Sequence, residues 1–175
     1  SSQNVEFTRR GLYAQSKLLS ERIFQTECSS CLHLIRPTLI YDEHGNSFLQ
    51  RLVGIARRTG IVPQLGVRPA MLQPVYVGDL CEIIRQTLDV DKPETLSVYG
   101  GAELSLATIA KIIRRECKAL SIVPIPVPIL KFLSQASPAA KDKFLELYEN
   151  KVATAGVTKA MEDLFGLKLR KFEED

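Results

Sequence analysis

The sequence contains no tryptophan and few metal-binding side chains, with only two histidines and four cysteines among its 175 residues. Cys28 and Cys31 form a lone C-x-x-C pair, without a second pair or histidines at the spacing of zinc ligands. This scarcity argues against a metal site and against a redox dithiol. We expect reduced thiols and a reducing compartment, with the cytoplasm as the first expectation.

Long apolar runs and a strong net charge are also absent. The longest apolar stretch, Ile122 to Leu133, is interrupted by three prolines, and no run reaches the roughly 18 residues of a membrane span. Net charge is only +3. The basic pairs Arg57-Arg58, Arg114-Arg115 and Arg170-Lys171 lie far apart in the sequence, so we interpret each as a solvated charge pair. We therefore expect neither a transmembrane segment nor a nucleic-acid partner.

The residues that are present have the profile of a soluble globular domain, with 45% hydrophobic and 25% charged side chains. Short apolar runs bounded by turn residues alternate with stretches of helical periodicity. Strands are predicted at 32–36, 61–65, 72–77, 96–99 and 122–125, and helices at 11–27, 47–59, 79–88, 105–113, 126–134, 139–149 and 157–165. This alternation predicts an α/β fold with a largely parallel sheet.

The first predicted helix carries the motif Y-x-x-x-K, formed by Tyr13 and Lys17. Residues four apart lie on the same face of a helix, so the phenol and the ammonium group point the same way. The positive charge favours the phenolate, and such a tyrosine can exchange a proton with a carbonyl or alcohol oxygen while hydride moves. The same spacing also occurs by chance as a surface pair, and the motif alone leaves both interpretations open.

The context of this motif resembles the extended and atypical short-chain dehydrogenase/reductases, the epimerase/dehydratase-like superfamily. The matching segments come in the family's order: LYAQSKLLSE, LIRPTLIYD, GIVPQLG, QPVYVGDL, VYGGAELSLATIAKII and LFGLKLRKFEED. QPVYVGDL followed by the proline-rich IVPIPVPIL most resembles the branch of the nucleotide-binding accessory subunit of respiratory complex I. The resemblance implies the C-terminal part of a Rossmann-like, doubly wound parallel sheet with a small, mostly helical substrate lobe.

This resemblance implies roles for individual residues. Tyr13 corresponds to the general acid/base and Lys17 to the lysine that binds the cofactor ribose. Ser2, or alternatively Ser1, corresponds to the catalytic serine. The remaining correspondences are the turn that meets the nicotinamide end of NAD or NADP (Pro37, Thr38, Leu39 and Ile40) and two substrate-binding candidates (Arg68 and Gln73). The family usually has glycine where this chain has Asp42.

The domain organisation follows from the same resemblance. Residues 1–45 and 72–100 are expected to form the last strands and helices of the Rossmann-like sheet, and residues 46–71 and 101–175 the substrate lobe and C-terminal helices. No G-x-G-x-x-G turn is present, because Gly100-Gly101 lacks the spacing that such a turn needs to bind a pyrophosphate. We therefore expect the cofactor-binding first half to be absent and the fragment alone to be inactive.

Three functional hypotheses remain at this point. The first is an NAD(P)-dependent reductase, dehydrogenase or epimerase acting on a carbonyl or alcohol carbon of a small molecule. The second is a non-catalytic NAD(P)H-binding subunit of a larger protein assembly, resembling the complex I subunit and located on the matrix side of the mitochondrion. The third is an α/β interaction module without a cofactor. The sequence leaves the substrate, the choice between NAD and NADP and the oligomeric state open.

Overall fold

The computed structural model describes residues 12–28, 32–43, 45, 47–65, 71–90, 94–126, 128–129, 132, 135 and 157–172. These residues form two compact units. Unit 1 consists of the described parts of Ser1–Ile40, Gln73–Ala102 and Val152–Asp175, and unit 2 of those of Tyr41–Leu72 and Glu103–Lys151. Each unit contains a parallel pair of strands with helices beside it, which confirms the predicted α/β class.

The elements alternate along the chain as the sequence pattern predicts. The helices are α1 (Leu12–Glu27), α2 (Phe48–Thr59), α3 (Val77–Thr87), α4 (Leu106–Glu116) and α5 (Val157–Phe165). The strands are β1 (Leu34–Pro37), β2 (Ile40–Tyr41), β3 (Ile61–Leu65), β4 (Met71–Leu72), β5 (Val75–Tyr76), β6 (Thr95–Val98), β7 (Leu104–Ser105) and β8 (Ser121–Ile125).

Unit 1 is built on β1 and β6, which run parallel in a register from Leu34 opposite Thr95 to Pro37 opposite Val98. Its core combines side chains from β5, α3, β6, α5 and the segment after α5: Val75, Leu80, Ile83, Val98, Met161 and Leu169. The sequence-based division assigned residues 101–175 to the other lobe. The structure instead places Met161 and Leu169 in this core, because α5 buries its apolar face here.

Unit 2 is built on β3 and β8, which run parallel from Ile61 opposite Ser121 to Leu65 opposite Ile125. α2 and α4 precede these strands and pack against β3 and each other. Ser105 caps α4 by accepting a hydrogen bond from the Thr108 backbone N–H at 3.0 Å, as its position before an apolar helix predicts. Gly60 ends α2 in the left-handed conformation, which also agrees with the sequence.

One predicted strand, Leu72 to Val77, is divided in the structure. β4 belongs to unit 2, whereas β5 belongs to unit 1, and the chain passes from one unit to the other between Leu72 and Gln73. Pro74 cannot donate a backbone hydrogen bond, which favours a break in strand pairing at this place. The predicted helices over 126–134 and 139–149 fall mostly or wholly outside the described residues.

Several smaller expectations can be compared with the described residues. His33 contacts the Val90 carbonyl oxygen through Nε2 at 3.1 Å, so it is a hydrogen-bonded side chain at the start of β1. Cys28 and Cys81 are exposed, and Cys31 lies outside the described residues. In the described part of the chain, no group of three or more His, Cys, Asp or Glu side chains converges as a metal site. Nor is any described helix long and apolar enough to cross a bilayer.

Candidate functional site

The Y-x-x-x-K motif lies in the first turns of α1. Tyr13 and Lys17 are separated by one helical turn, and their positions therefore share a helix face. Lys17 is half-buried, while Gln15 and Ser16 just before it are exposed. The side chain of Tyr13 lies outside the described part of the structure. The described backbone therefore places both positions on one side of α1, and Lys17 is on a side that the protein partly covers.

A buried ion pair fixes α1 against the sheet of unit 1. Glu21, one turn beyond Lys17, is only 5% exposed and accepts two hydrogen bonds from Arg36 in β1. Arg36 Nε lies 3.2 Å from Glu21 Oε1, and Arg36 Nη2 lies 2.8 Å from Glu21 Oε2. A bidentate pair of this kind restrains both the distance between the two charged groups and their relative orientation. Glu21 follows Lys17 at i+4 in the sequence, and no local pattern indicates that its partner is Arg36.

The ion pair also restrains where α1 lies. Glu21 follows Lys17 by one helical turn, about 6 Å, on the same face of α1, and its partner Arg36 lies one residue before the end of β1. The ion pair therefore holds the middle of α1 near the carboxyl end of β1.

The turn beyond β1 is held by several hydrogen bonds. The Thr38 backbone N–H donates to the Val98 carbonyl at 3.0 Å, which extends the β1–β6 pairing by one step. The Thr38 hydroxyl donates to the Gln73 carbonyl at 2.5 Å, and the Val75 N–H donates to the Leu39 carbonyl at 2.9 Å. The turn formed by residues 37–40 is thus fixed at the carboxyl edge of the parallel strands, where α/β proteins bind ligands.

Gln73 connects three parts of unit 1 beside this turn. Its side chain is 3% exposed, and its amide nitrogen donates to the Gly100 carbonyl at 3.0 Å and to the Thr158 hydroxyl at 2.8 Å. These contacts link the segment before β5 to the end of β6 and to α5. They give Gln73 a structural role in shaping the edge of the sheet.

The glycine pair after β6 serves close backbone packing. A Cβ added to Gly100 would lie 1.6 Å from the Pro74 carbonyl oxygen, and one added to Gly101 would lie 2.5 Å from the Leu169 carbonyl oxygen. Both neighbours are backbone atoms, which cannot move aside as a flexible side chain can. The pair therefore allows the end of β6 to approach its neighbours closely.

Only some of the other candidate positions lie within the described residues. Ser1, Ser2 and Arg68 lie outside the described residues. Asp42, at the position where the family usually has glycine, accepts a hydrogen bond from the Gly45 backbone N–H and so stabilises its own loop. Asp79 in the first turn of α3 accepts one from the Arg170 N–H at 2.7 Å. That contact ties the segment after α5 to α3, and Arg170 also stacks over the Tyr76 ring at 4.0 Å.

No protein-family model and no curated protein sequence matches the chain. Solved structures do match it in three dimensions. One is an NAD-dependent NDP-hexosamine 5,6-dehydratase of tunicamycin biosynthesis, with a TM-score of 0.70, 17% identity, and coverage of 96% of this chain and 52% of the other. A dTDP-glucose 4,6-dehydratase from Bacillus anthracis, solved with NAD, has a TM-score of 0.69, 14% identity, and coverage of 99% and 52%.

A third neighbour is a dTDP-4-dehydrorhamnose reductase from Bacillus anthracis, solved with NADP. Its TM-score is 0.65 at 20% identity, with coverage of 93% of this chain and 52% of the other. The chain thus spans about half the length of each of these three enzymes. At these identities the likeness establishes the architecture alone, so the chain has the Rossmann-like fold seen in half of an NAD(P)-dependent epimerase, dehydratase or reductase.

Proposed function

We propose that this chain is part of an NAD(P)-dependent oxidoreductase that acts on a carbonyl or alcohol carbon of a sugar nucleotide. The observation that carries the proposal is the Glu21–Arg36 ion pair, which holds the helix of the Y-x-x-x-K motif near the carboxyl end of β1. The three structural neighbours support the proposal, because their names are those of enzymes acting on nucleotide-linked sugars, two of them in complex with NAD or NADP.

The described residues fit one end of the cofactor. Lys17 is half-buried on α1, and an ammonium group there would donate to ribose hydroxyls of a cofactor bound at the carboxyl edge of the strands. Pro37, Thr38, Leu39 and Ile40 would contact the nicotinamide end through this turn. The chain contains no glycine-rich turn for the pyrophosphate. We therefore assign to this chain only the contacts at the reacting end.

When bound, the cofactor supplies or accepts hydride at a carbon of the substrate. Tyr13 would hold and move the proton at its phenolic oxygen, as the general acid or base for the substrate oxygen. Lys17 would favour the phenolate by its charge and orient the cofactor ribose. Ser2, or Ser1, would donate a hydrogen bond to the same substrate oxygen, and Arg68 would contact a substrate phosphate. Gln73 would act by positioning the edge of the sheet.

The first experiment measures cofactor binding and turnover of nucleotide sugars by the full-length protein and by its Tyr13→Phe and Lys17→Met variants. Tyr13→Phe should lower kcat by about 10²- to 10⁴-fold, because it removes the proton donor. It should leave the Kd for NAD(P)H nearly unchanged. Lys17→Met should weaken binding of NAD(P)H as well as turnover. Tyr76→Phe is the matched control, since it removes a phenolic hydroxyl from a ring that stacks with Arg170.

The outcomes of this experiment separate the three hypotheses. Cofactor binding with turnover that depends on Tyr13 supports the oxidoreductase. Tight cofactor binding without turnover of any carbonyl substrate would instead support the non-catalytic subunit, including the complex I-like branch suggested by the sequence. Failure of the full-length protein to bind NADH or NADPH would contradict both and would favour an interaction module.

A further inference from the structure

Unit 2 brings two basic helix ends to the same edge. α2 leads directly into β3 and α4 leads into β8, and these strands are parallel, so both helices end where the strands begin. The two turns are hydrogen-bonded, because the Leu120 N–H donates to the Gly60 carbonyl at 2.8 Å. The last turns contain Arg57-Arg58 and Arg114-Arg115. These pairs, which the sequence shows far apart, therefore share one edge of the fold.

A cavity of about 360 Å³ lies at the end of α4. Its lining consists of four cationic side chains and one alanine: Lys111, Arg114, Arg115, Lys118 and Ala119. Lys111, Arg114 and Arg115 follow an i, i+3, i+4 pattern on the surface of α4, and Lys118 lies just beyond the end of the helix. Arg115 pairs with Glu116 at 2.7 Å, and the cavity lining includes no carboxylate.

The backbone conformation of Lys118 is a second observation, independent of the charges that line the cavity. Its φ of 51° is left-handed, a conformation that glycine adopts at far lower cost. The Lys118 N–H donates to the Arg115 carbonyl at 3.2 Å and the Ala119 N–H to the Arg114 carbonyl at 3.0 Å, the two bonds of a Schellman helix end. The chain thus has a cation, rather than glycine, at a position where the backbone favours glycine, and this cation lines the cavity.

We propose that this cavity binds a small, multiply charged phosphate ligand, such as a diphosphate group. Guanidinium groups donate paired hydrogen bonds to phosphate oxygens, and the flexible lysines add point charges. The volume lies at the lower end of small-molecule sites, which suits a compact anion. The helix C-terminus favours these cations when the cavity is empty. The proposal concerns unit 2 alone and does not depend on the oxidoreductase function.

The test is a calorimetric titration of the protein with inorganic pyrophosphate at two salt concentrations, together with sedimentation of the protein with vesicles that contain an anionic phospholipid. The variants are Arg114→Gln/Lys118→Gln and Lys118→Gly. The matched control is Lys159→Gln/Lys168→Gln, which makes the same charge change at exposed positions in unit 1. Circular dichroism and thermal unfolding verify that each variant folds.

We expect binding of pyrophosphate that weakens with salt, falls by about tenfold or more in the double variant, and is unchanged in the control. Lys118→Gly should raise the melting temperature while it weakens binding, a combination that a purely structural lysine would not produce. Vesicle binding alone, with the same dependence on these residues, would identify a lipid headgroup as the phosphate source. Equal binding by all variants, or no binding of either pyrophosphate or the vesicles, would overturn the proposal.

Discussion

At the residue scale, the close approach of Gly100 to the Pro74 carbonyl gives a direct prediction. Gly100→Ala would place a methyl group 1.6 Å from that oxygen, so the end of β6 or the segment before β5 must shift. We expect unfolding free energy to fall by about 1–3 kcal/mol, as for overpacked cores. Urea denaturation followed by circular dichroism measures the change.

Gly54 provides the matched control for this substitution. It lies inside α2, and an added Cβ would meet no atom within 4 Å. Gly54→Ala should therefore stabilise the protein by up to about 1 kcal/mol, since alanine favours the helix more than glycine does. If both substitutions changed stability equally, close packing at Gly100 would not be the reason for its glycine.

Single residues also show which contacts could be predicted from the local sequence. The caps at Ser105 and Gly60 follow from local rules, because serine is preferred before the first turn of a helix and glycine after the last. The partner of Gln73 on α5, Thr158, lies 85 residues away, and no local pattern indicates it. The family resemblance implied a substrate contact for Gln73, which stays a prediction, and the hydrogen bonds that its amide nitrogen makes in the structure lie within unit 1.

At the element scale, the docking of α1 on β1 depends on the Glu21–Arg36 pair, whose side chains are 5% and 14% exposed. Glu21→Leu should destabilise unit 1 by about 3–5 kcal/mol, because it leaves the Arg36 charge buried without its main partner. Glu21→Leu/Arg36→Leu should recover much of this loss. Chemical denaturation of the single and double variants measures the coupling.

The exposed pair Arg115–Glu116 is the control for this prediction. Its side chains are 66% and 56% exposed, and Glu116→Gln should change stability by less than about 1 kcal/mol. A double variant as unstable as Glu21→Leu alone would show that α1 is not positioned by this pair. The proposed place of the Y-x-x-x-K helix near the end of β1 would then lose its support.

The elements themselves were largely predictable, since α2 and α4 have helical periodicity, β3 and β8 are short apolar runs, and all four lie within a few residues of the expected bounds. The region from Leu72 to Val77 was predicted wrongly as one strand. Its apolar residues form a continuous run, but β4 and β5 belong to different units. Local hydrophobicity indicates that a segment is buried, and it does not indicate which core buries it.

An exposed ion pair on α3, between Arg85 and Glu82, lowers the pKa of the Glu82 carboxyl group. Hydrogen bonds from Arg85 and Gln86 hold the pKa of Glu82 at about 2, with a smaller contribution from the charge of Arg85. Because Glu82 ionises more easily in the folded state, its contribution to stability is present above its unfolded pKa of about 4.5 and fades as pH falls towards 2. Since the pair is exposed, this contribution is strongly screened by water.

At the scale of the whole molecule, the chain contributes segments alternately to two units. Charges that appear isolated in the sequence, such as Arg57-Arg58 and Arg114-Arg115, come to one edge because β3 and β8 are parallel. In the same way, α5 completes a core begun by β5 and α3 more than 70 residues earlier. Long-range assembly of this kind follows from topology, which the fold class restricts but does not determine.

Because α5 contributes to the core of unit 1, a substitution of its buried residue should destabilise unit 1 more than unit 2. Met161 is 4% exposed and packs with Val75, Ile83 and Val98. Met161→Ala should destabilise unit 1 by about 2–5 kcal/mol, because it removes buried surface and leaves a cavity. Hydrogen exchange should quicken in β1 and β6, while β3 and β8 change less because they have a core of their own. Leu164→Ala, at a 67% exposed position on the same helix, is the control and should leave hydrogen exchange unchanged in both strand pairs. Faster exchange confined to β3 and β8 after Met161→Ala would contradict the assignment of α5 to unit 1.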